Sequence, residues 1–227
     1  MKTLVLGDIH GRTIWKTHID KVQPDKVIFV GDYFDSFDIS TAEQIHNFKD
    51  IISLKEDQLD DVILLIGNHD AHYMGINETY SGYQGFAGYG IIDMLREHRN
   101  RLQFAHSFGP YLFTHAGVTK DWCELIGIDQ KDIVNQINQS DIKDFRFQGH
   151  DPYGDSTKSS PIWVRPRSLM LNKIHGWHQI VGHTTQQSIN LEADTYGFTF
   201  IDTLGTSTEA LIISEGSDGY DLSVSKL

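Results

Sequence analysis

Five short segments set an Asp, Asn or His beside a glycine, and they recur along the chain in fixed order. They are Gly7-Asp8-Ile9-His10-Gly11, Gly31-Asp32-Tyr33-Phe34-Asp35, Gly67-Asn68-His69-Asp70, His115-Ala116-Gly117 and Gly182-His183-Thr184. The first three and the fifth directly follow apolar runs that read as buried strands. Residues 3–6, 26–30 and 62–66 supply three such runs, and residues 12–22 and 42–54 between them carry helical spacing, as with Ile45, Phe48 and Ile52. A β-α-β-α-β order implies a mainly parallel sheet with right-handed crossovers, and ligands gather at the carboxyl ends of such strands. The pattern therefore predicts polar donors delivered to one edge of a sheet.

Beyond this unit, residues 72–90 are rich in Gly and Tyr and read as a long loop, either a mobile surface segment or a wall facing substrate. Residues 91–98 read as a helix, 110–114 as a strand feeding His115, 120–142 as two helices and 145–160 as a loop. Strands are expected at 179–181, 199–203, 209–214 and 220–224, separated by Gly, Ser and Thr turns. These are expected to form a second, more antiparallel sheet packed on the first. With no repeat, low-complexity tract or linker, residues 1–227 read as a single domain.

A net charge of -12 argues against binding a long nucleic acid, which needs a basic face. A phosphorylated protein or a small phosphoester is less constrained, because bound cations can supply positive charge locally. The single cysteine, Cys123, excludes an intramolecular disulfide and reads as a buried apolar side chain, which fits a reducing compartment. No apolar run is long enough to span a bilayer, and the N-terminal residues lack the apolar core of a signal peptide. A cytoplasmic location is expected.

The donors suggest a two-ion site. Asp8 and His10, two residues apart on a loop leaving a strand, can aim at one ion. Asp32, after the neighbouring strand, can bridge two ions, and Asn68, His115 and His183 complete the second. Mixed oxygen and nitrogen donors suit Mn, Fe or Zn better than Ca. Asp70 reads as a structural polar residue.

The motif set resembles that of the calcineurin-like metallophosphoesterases, over a span from Gly7 to Thr184. The Gly31 to Asp35 segment, with its second aspartate, is similar to the phosphoprotein-phosphatase branch, including its compact bacterial and phage members. The resemblance implies an α/β four-layer sandwich, with two mixed β-sheets flanked by α-helices. It also implies two divalent metal ions, with Mn first in order and Fe or Zn possible. Asp8, His10 and Asp32 would hold one ion; Asp32, Asn68, His115 and His183 would hold the other. Two ions sharing a water would lower its pKa and generate a hydroxide for in-line attack on phosphorus. His69 is then the expected general acid, oriented by Asp35. Trp163-Val164-Arg165 looks like the segment that carries a phosphate-binding arginine in small members, so Arg165 is the expected substrate cation beside Asn68. Arg167 and Arg12 stand in reserve.

One departure bears on substrate. Eukaryotic-type members carry Arg-Gly after the second aspartate, whereas Ser36 and Phe37 follow Asp35 here. The absence of a later His after Gly-His-Thr (Thr185 follows Thr184) favours the protein-phosphatase branch over the diesterase one. The expected activity is thus phosphoserine or phosphothreonine hydrolysis. Dinucleoside polyphosphate or cyclic-nucleotide hydrolysis is the alternative, and a catalytically silent metal-stabilised binding module is the remote one.

Overall fold

The computed structural model describes residues 1–58, 60–76, 79–147, 155–191, 197–217 and 219–227. Its first sheet begins with β1 (Lys2–Leu6), β2 (Lys26–Phe29) and β3 (Val62–Leu65), all parallel. They are joined by α1 (Ile14–Val22) and α2 (Thr41–Asp57), and β4 (Leu102–Gln103) extends the parallel set. The second sheet contains β5 (Ala105–Phe108), β6 (Tyr111–Thr114), β7 (His178–Val181) and β8 (Phe198–Phe200). Of these, β5 and β6 are antiparallel and the others parallel. The remaining helices are α3 (Asn68–Ala71), α4 (Tyr89–Glu97), α5 (Lys120–Ile126), α6 (Ile133–Gln139) and α7 (Pro166–Leu171).

Side chains on successive strand residues point to opposite faces, and that alternation builds the layers. Leu4, Leu6, Val27, Phe29, Val62 and Leu64 pack with Trp15, Phe48 and Ile51 of the flanking helices. The intervening Val5, Ile28 and Leu65 pack with Phe113 and Ile180 of the second sheet. On that sheet's outer face, Val181 and Phe198 meet Val164 and Leu169 of the α7 region. The result is the four-layer arrangement, helices outside and two mixed sheets within. Cys123 is buried on α5, where burial pushes its thiol up to about 12. Among the described residues no helix is long and apolar enough to cross a membrane.

The last third of the chain departs from the expectation of one antiparallel C-terminal sheet. β9 (Ala210–Gly216) and β10 (Gly219–Ser225) do form an antiparallel hairpin, but it joins the first sheet. There β9 pairs antiparallel with β1, giving the order β10-β9-β1-β2-β3-β4. The second sheet has the order β5-β6-β7-β8, with β7 and β8 parallel. Local alternation marks a strand without naming its partner. The pairing is decided by the unpaired edge of β1, whose Thr3 and Val5 sit opposite Ile213 and Leu211. Part of the expected loop at 145–160 lies outside the described residues.

Helix boundaries follow local chemistry. At α2, the Ser40 hydroxyl accepts from the Glu43 N–H at 3.3 Å while Glu43 Oε2 accepts from the Ser40 N–H at 3.1 Å, a reciprocal cap. Replacing Ser40→Ala should cost about 1 kcal/mol and lower Tm by roughly 2–4 °C. Calorimetry reads this, and an unchanged Tm would show that the cap carries no weight.

Candidate metal centre

The donor-bearing loops are tied to one another by their own hydrogen bonds. The Asp70 carboxylate, fully buried, accepts the backbone N–H groups of Asp32 (2.8 Å), Tyr33 (2.9 Å) and Gly67 (2.9 Å). That joins the loops leaving β2 and β3 through a residue one turn into α3. The Asp8 carboxylate, after β1, accepts the His183 N–H at 3.0 Å and so connects the first sheet to the second. Asp32 Oδ1 accepts the His69 N–H at 2.9 Å. Glycine is required at the contacts themselves. A Cβ on Gly67 would overlap the Asp32 carboxylate, and one on Gly182 would overlap that of Asp8.

The backbone is bent hard here. Among the described residues six non-glycine positions have positive φ, and four of them lie in these loops: His10 (42°), Asp32 (52°), Asp35 (66°) and His183 (63°). Such conformations cost about 1–3 kcal/mol each and persist where surrounding contacts over-determine them.

The structure brings all six expected metal donors together. Ligand atoms of Asp8, Asp32 and His115 lie within 4.8 Å of one another. Asn68 Oδ1 sits 3.0 Å from His115 Nε2 and 2.9 Å from His183 Nδ1. Asp32 Oδ2 lies between two imidazoles, 3.3 Å from His115 Nε2 and 3.8 Å from His10 Nε2. The outer nitrogens of these rings are held from behind. His10 Nδ1 donates to the Phe34 carbonyl (2.6 Å) and His115 Nδ1 to the Val30 carbonyl (2.9 Å), which turns each Nε2 toward Asp32. A backbone acceptor behind each ring is the support a metal-binding imidazole uses to fix its tautomer.

The charge balance fits cations as well. Burial raises the Asp8 pKa well above its usual value, and neighbouring Asp202 adds to the shift. Burial would also raise Asp32, but His115 and His69 outweigh it and hold Asp32 well below the usual range. His115 is affected inversely: burial lowers it, yet Asp32 and Asp8 bring it up to about 10. His183, by contrast, is pushed well down by burial, then by His115 and Arg165, leaving a neutral imidazole. Close buried carboxylates with neutral nitrogen donors are what divalent ions stabilise.

Beside the donors sits a histidine–aspartate pair. His69 Nδ1 lies 2.9 Å from Asp35 Oδ2, and the His69 and His10 ring centroids are 5.1 Å apart. Burial lowers the His69 pKa, but Asp32 and the bond to Asp35 prevail and raise it to about 9. Sequence reasoning missed what holds Asp35. Tyr73 donates its hydroxyl to Asp35 Oδ1 at 2.5 Å, and His72 Nε2 lies 2.6 Å from Oδ2. The signal available was the His72-Tyr73 pair one turn after His69, inside the segment read as a loop.

That segment is a wall of the site. Gly82 lies against Asp35, and the Tyr80 ring meets Trp163 at 4.3 Å, with Trp163 in turn 5.8 Å from His183. Arg165 Nη1 donates to the His183 carbonyl (3.0 Å) and to Thr184 Oγ1 (3.1 Å). Burial lowers its pKa while Asp8, Asp32 and Asp202 pull it up. Arg167 is exposed, and Arg12 is half-buried with a long contact (3.4 Å) to the Ile9 carbonyl. Ser36 carries no charge to substrate; its hydroxyl accepts the Ile39 N–H at 3.2 Å and shapes the turn before α2.

Residues 1–196 match the family model of the calcineurin-like phosphoesterases. No protein of curated function matches the sequence. Among solved structures, the chain is similar to a Saccharomyces cerevisiae protein serine/threonine phosphatase that itself resembles human phosphatase PP5. That match has a TM-score of 0.65 and 14% identity, and covers 100% of this chain and 80% of the other. A mutant of a cold-active protein tyrosine phosphatase matches with a TM-score of 0.63 and 17% identity, over 98% and 80%. A candidate diadenosine tetraphosphatase matches with a TM-score of 0.56 and 12% identity, over 98% and 93%. At these identities the likenesses establish a shared fold.

Replacing Asp70→Asn sets an amide N–H₂ against backbone donors and should cost about 1–3 kcal/mol. Urea unfolding in the presence of a chelator measures it, and a cost below a few tenths would remove Asp70 from its organising role.

Proposed function

The chain belongs to the calcineurin-like phosphoesterase family and is a metal-dependent phosphoesterase; within that activity we propose that it hydrolyses phosphomonoesters with alkoxide leaving groups, as in phosphoserine and phosphothreonine of proteins. The observation that carries this reading is the Asp35–His69 pair beside the donor cluster. A serine or threonine alkoxide leaves poorly unless a proton reaches it, and general-acid assistance contributes about 10²–10⁴-fold. A nitrophenolate or a phosphoanhydride leaving group has little need of it.

In this reading Asp8, His10 and Asp32 hold one divalent ion, and Asp32, Asn68, His115 and His183 hold the other. When bound, such ions supply Lewis acidity to phosphoryl oxygens and lower the pKa of water. The mixed oxygen and nitrogen donors favour Mn, with Fe or Zn as substitutes. The chain's own residues do the rest. His10 and His115 keep their Nε2 atoms aimed at Asp32 because Phe34 and Val30 hold the opposite nitrogens. Arg165, fixed by Thr184 and the His183 carbonyl at the rim, pairs with phosphoryl oxygens through its guanidinium fork. His69 donates the proton, and Asp35 keeps the proton on the ring by accepting from Nδ1. Asp35 stays ionised because, although burial raises it, the bonds from His69, His72 and Tyr73 lower it further.

Changing His69→Asn should reduce turnover of an alkyl phosphate by about 10²-fold or more and that of a nitrophenyl ester by less than about tenfold. Equal losses on both substrates would remove His69 from the acid role. Changing Asp32→Asn should abolish turnover and metal occupancy together, read by elemental analysis of the purified protein; full occupancy with retained turnover would sink the bridging assignment. A Mn-supplemented panel tests the substrate class. It should favour phosphopeptides over dinucleoside tetraphosphate, cyclic nucleotides and nitrophenyl diesters, and a reversed preference would replace the monoesterase reading with the nucleotide one.

A further inference from the structure

A cavity of about 840 Å³ lies on the far side of Asp35 from the donor cluster, lined by His72, Tyr73, Tyr83, Leu95, Arg99 and neighbouring residues of α4. Its size is that of a small-molecule site. The walls are largely aromatic and aliphatic: Tyr73 and Tyr83 stack with centroids 4.9 Å apart, and Ile92, Leu95 and Ile142 supply aliphatic surface. Into this apolar space the chain sets two cations, Arg96 and Arg99.

Arg99 is the informative one. Its Nη1 donates to the Leu102 carbonyl at 3.0 Å and its guanidinium lies 5.6 Å from the Phe104 centroid. Among the described residues no carboxylate lies within 4.0 Å of it, and no acceptor takes its remaining N–H groups. Burial depresses its pKa with nothing to offset the effect. A guanidinium exposed at the rim of an apolar cavity, with donors not committed to protein acceptors, is complementary to an anion carried on an apolar body. Arg96, likewise exposed and paired with Asp93 at 3.2 Å, adds positive charge at the same wall.

We propose that this cavity binds an amphipathic organic anion, a planar ring system bearing a carboxylate, sulfonate or phosphate, and that its occupancy is coupled to catalysis. The ring packs among Tyr83, Ile92 and Leu95, and the anionic group pairs with Arg99. The coupling rests on the acid role given above to His69. Two wall residues, His72 and Tyr73, are those that grip Asp35, at 2.6 and 2.5 Å, and Asp35 orients His69. Tyr73 also accepts the Gln84 N–H at 2.9 Å, so displacement of its ring disturbs both the Asp35 contact and the wall segment. A ligand that favours one placement of these two side chains biases the geometry of the acid.

Two probes that differ only in charge test the site on the metal-loaded full chain: 1-anilinonaphthalene-8-sulfonate and its uncharged parent N-phenyl-1-naphthylamine. Fluorescence titration should give one sulfonate per chain, bound about tenfold more tightly than the neutral probe. Arg99→Gln should erase that preference, and Ile92→Trp, which fills the cavity, should weaken both probes, with thermal unfolding reporting that each variant is folded. Equal affinity of the two probes for the unmodified chain would overturn the site without recourse to any variant, as would sulfonate binding indifferent to both substitutions. Saturating sulfonate should change turnover of an alkyl phosphate more than that of a nitrophenyl ester. Equal turnover with and without bound probe would overturn the coupling. The binding titration needs no catalysis, so failure of the His69 assignment and failure of the cavity give different results.

Discussion

The site depends on the three hydrogen bonds accepted by Asp70. Burial and then the neighbouring Asp32 raise the Asp70 pKa to about 7, and a hydrogen bond of this kind contributes about 0.5–1.5 kcal/mol. Four residues of the donor loops hold left-handed backbone conformations at about 1–3 kcal/mol each. The two magnitudes are comparable, so the strained loops need such anchors. Asp70 holds the Asp32 and Tyr33 amides on one loop and the Gly67 amide on the next. That fixes where Asp32 turns its carboxylate, and every other donor is arranged around Asp32. The Asp8 bond to the His183 N–H does the same work between the two sheets. The donor loops are therefore held together by carboxylates that spend lone pairs on backbone, and the donor side chains also pair directly, as Asn68 does with His115 and His183.

Much of this was legible in the sequence because the strands are short and end in glycine. At Gly67 and Gly182 the reason is physical: a neighbouring carboxylate occupies the space a Cβ would need. A donor next to such a glycine is forced into the crowded centre, so adjacency in sequence reports proximity in space. The β-α-β-α-β unit was equally readable, since its helical and strand periods alternate cleanly. Sheet membership of β9 and β10 was not, because alternation along a strand carries no information about which edge it will meet. His72 and Tyr73 were hidden for a related reason. Their partner Asp35 lies more than thirty residues away in sequence, and a segment of glycines and tyrosines has no period that points to it.

Charge explains the division of labour across the cleft. On one side, Asp8, Asp32 and Asp202 accumulate negative charge that burial makes costly, and cations offset it. On the other, Asp35 is held below the usual range, against burial, by its contacts with His69, His72 and Tyr73. Two aspartates on one loop, three residues apart, thus meet different partners: Asp32 meets His115, and Asp35 meets His69. Asp32 turns inward through a left-handed backbone, and Asp35 turns toward His72 and Tyr73 through another.

This asymmetry locates substrate choice away from the metal donors. In the proposed reading the donor cluster would meet only the phosphoryl group, which every phosphoester shares. What differs between a phosphopeptide and a nucleotide lies beyond it, on the rim that Arg165, Trp163 and Tyr80 form. Where the phosphatase branch carries a second arginine, Ser36 instead uses its hydroxyl to close the turn into α2. In the reading proposed above a single guanidinium, Arg165, orients the phosphoryl group; it is anchored to Thr184 and the His183 backbone. The His183 ring also packs on Trp163. On that reading a single arginine leaves discrimination to the surrounding walls, which here include Tyr80, packed on Trp163.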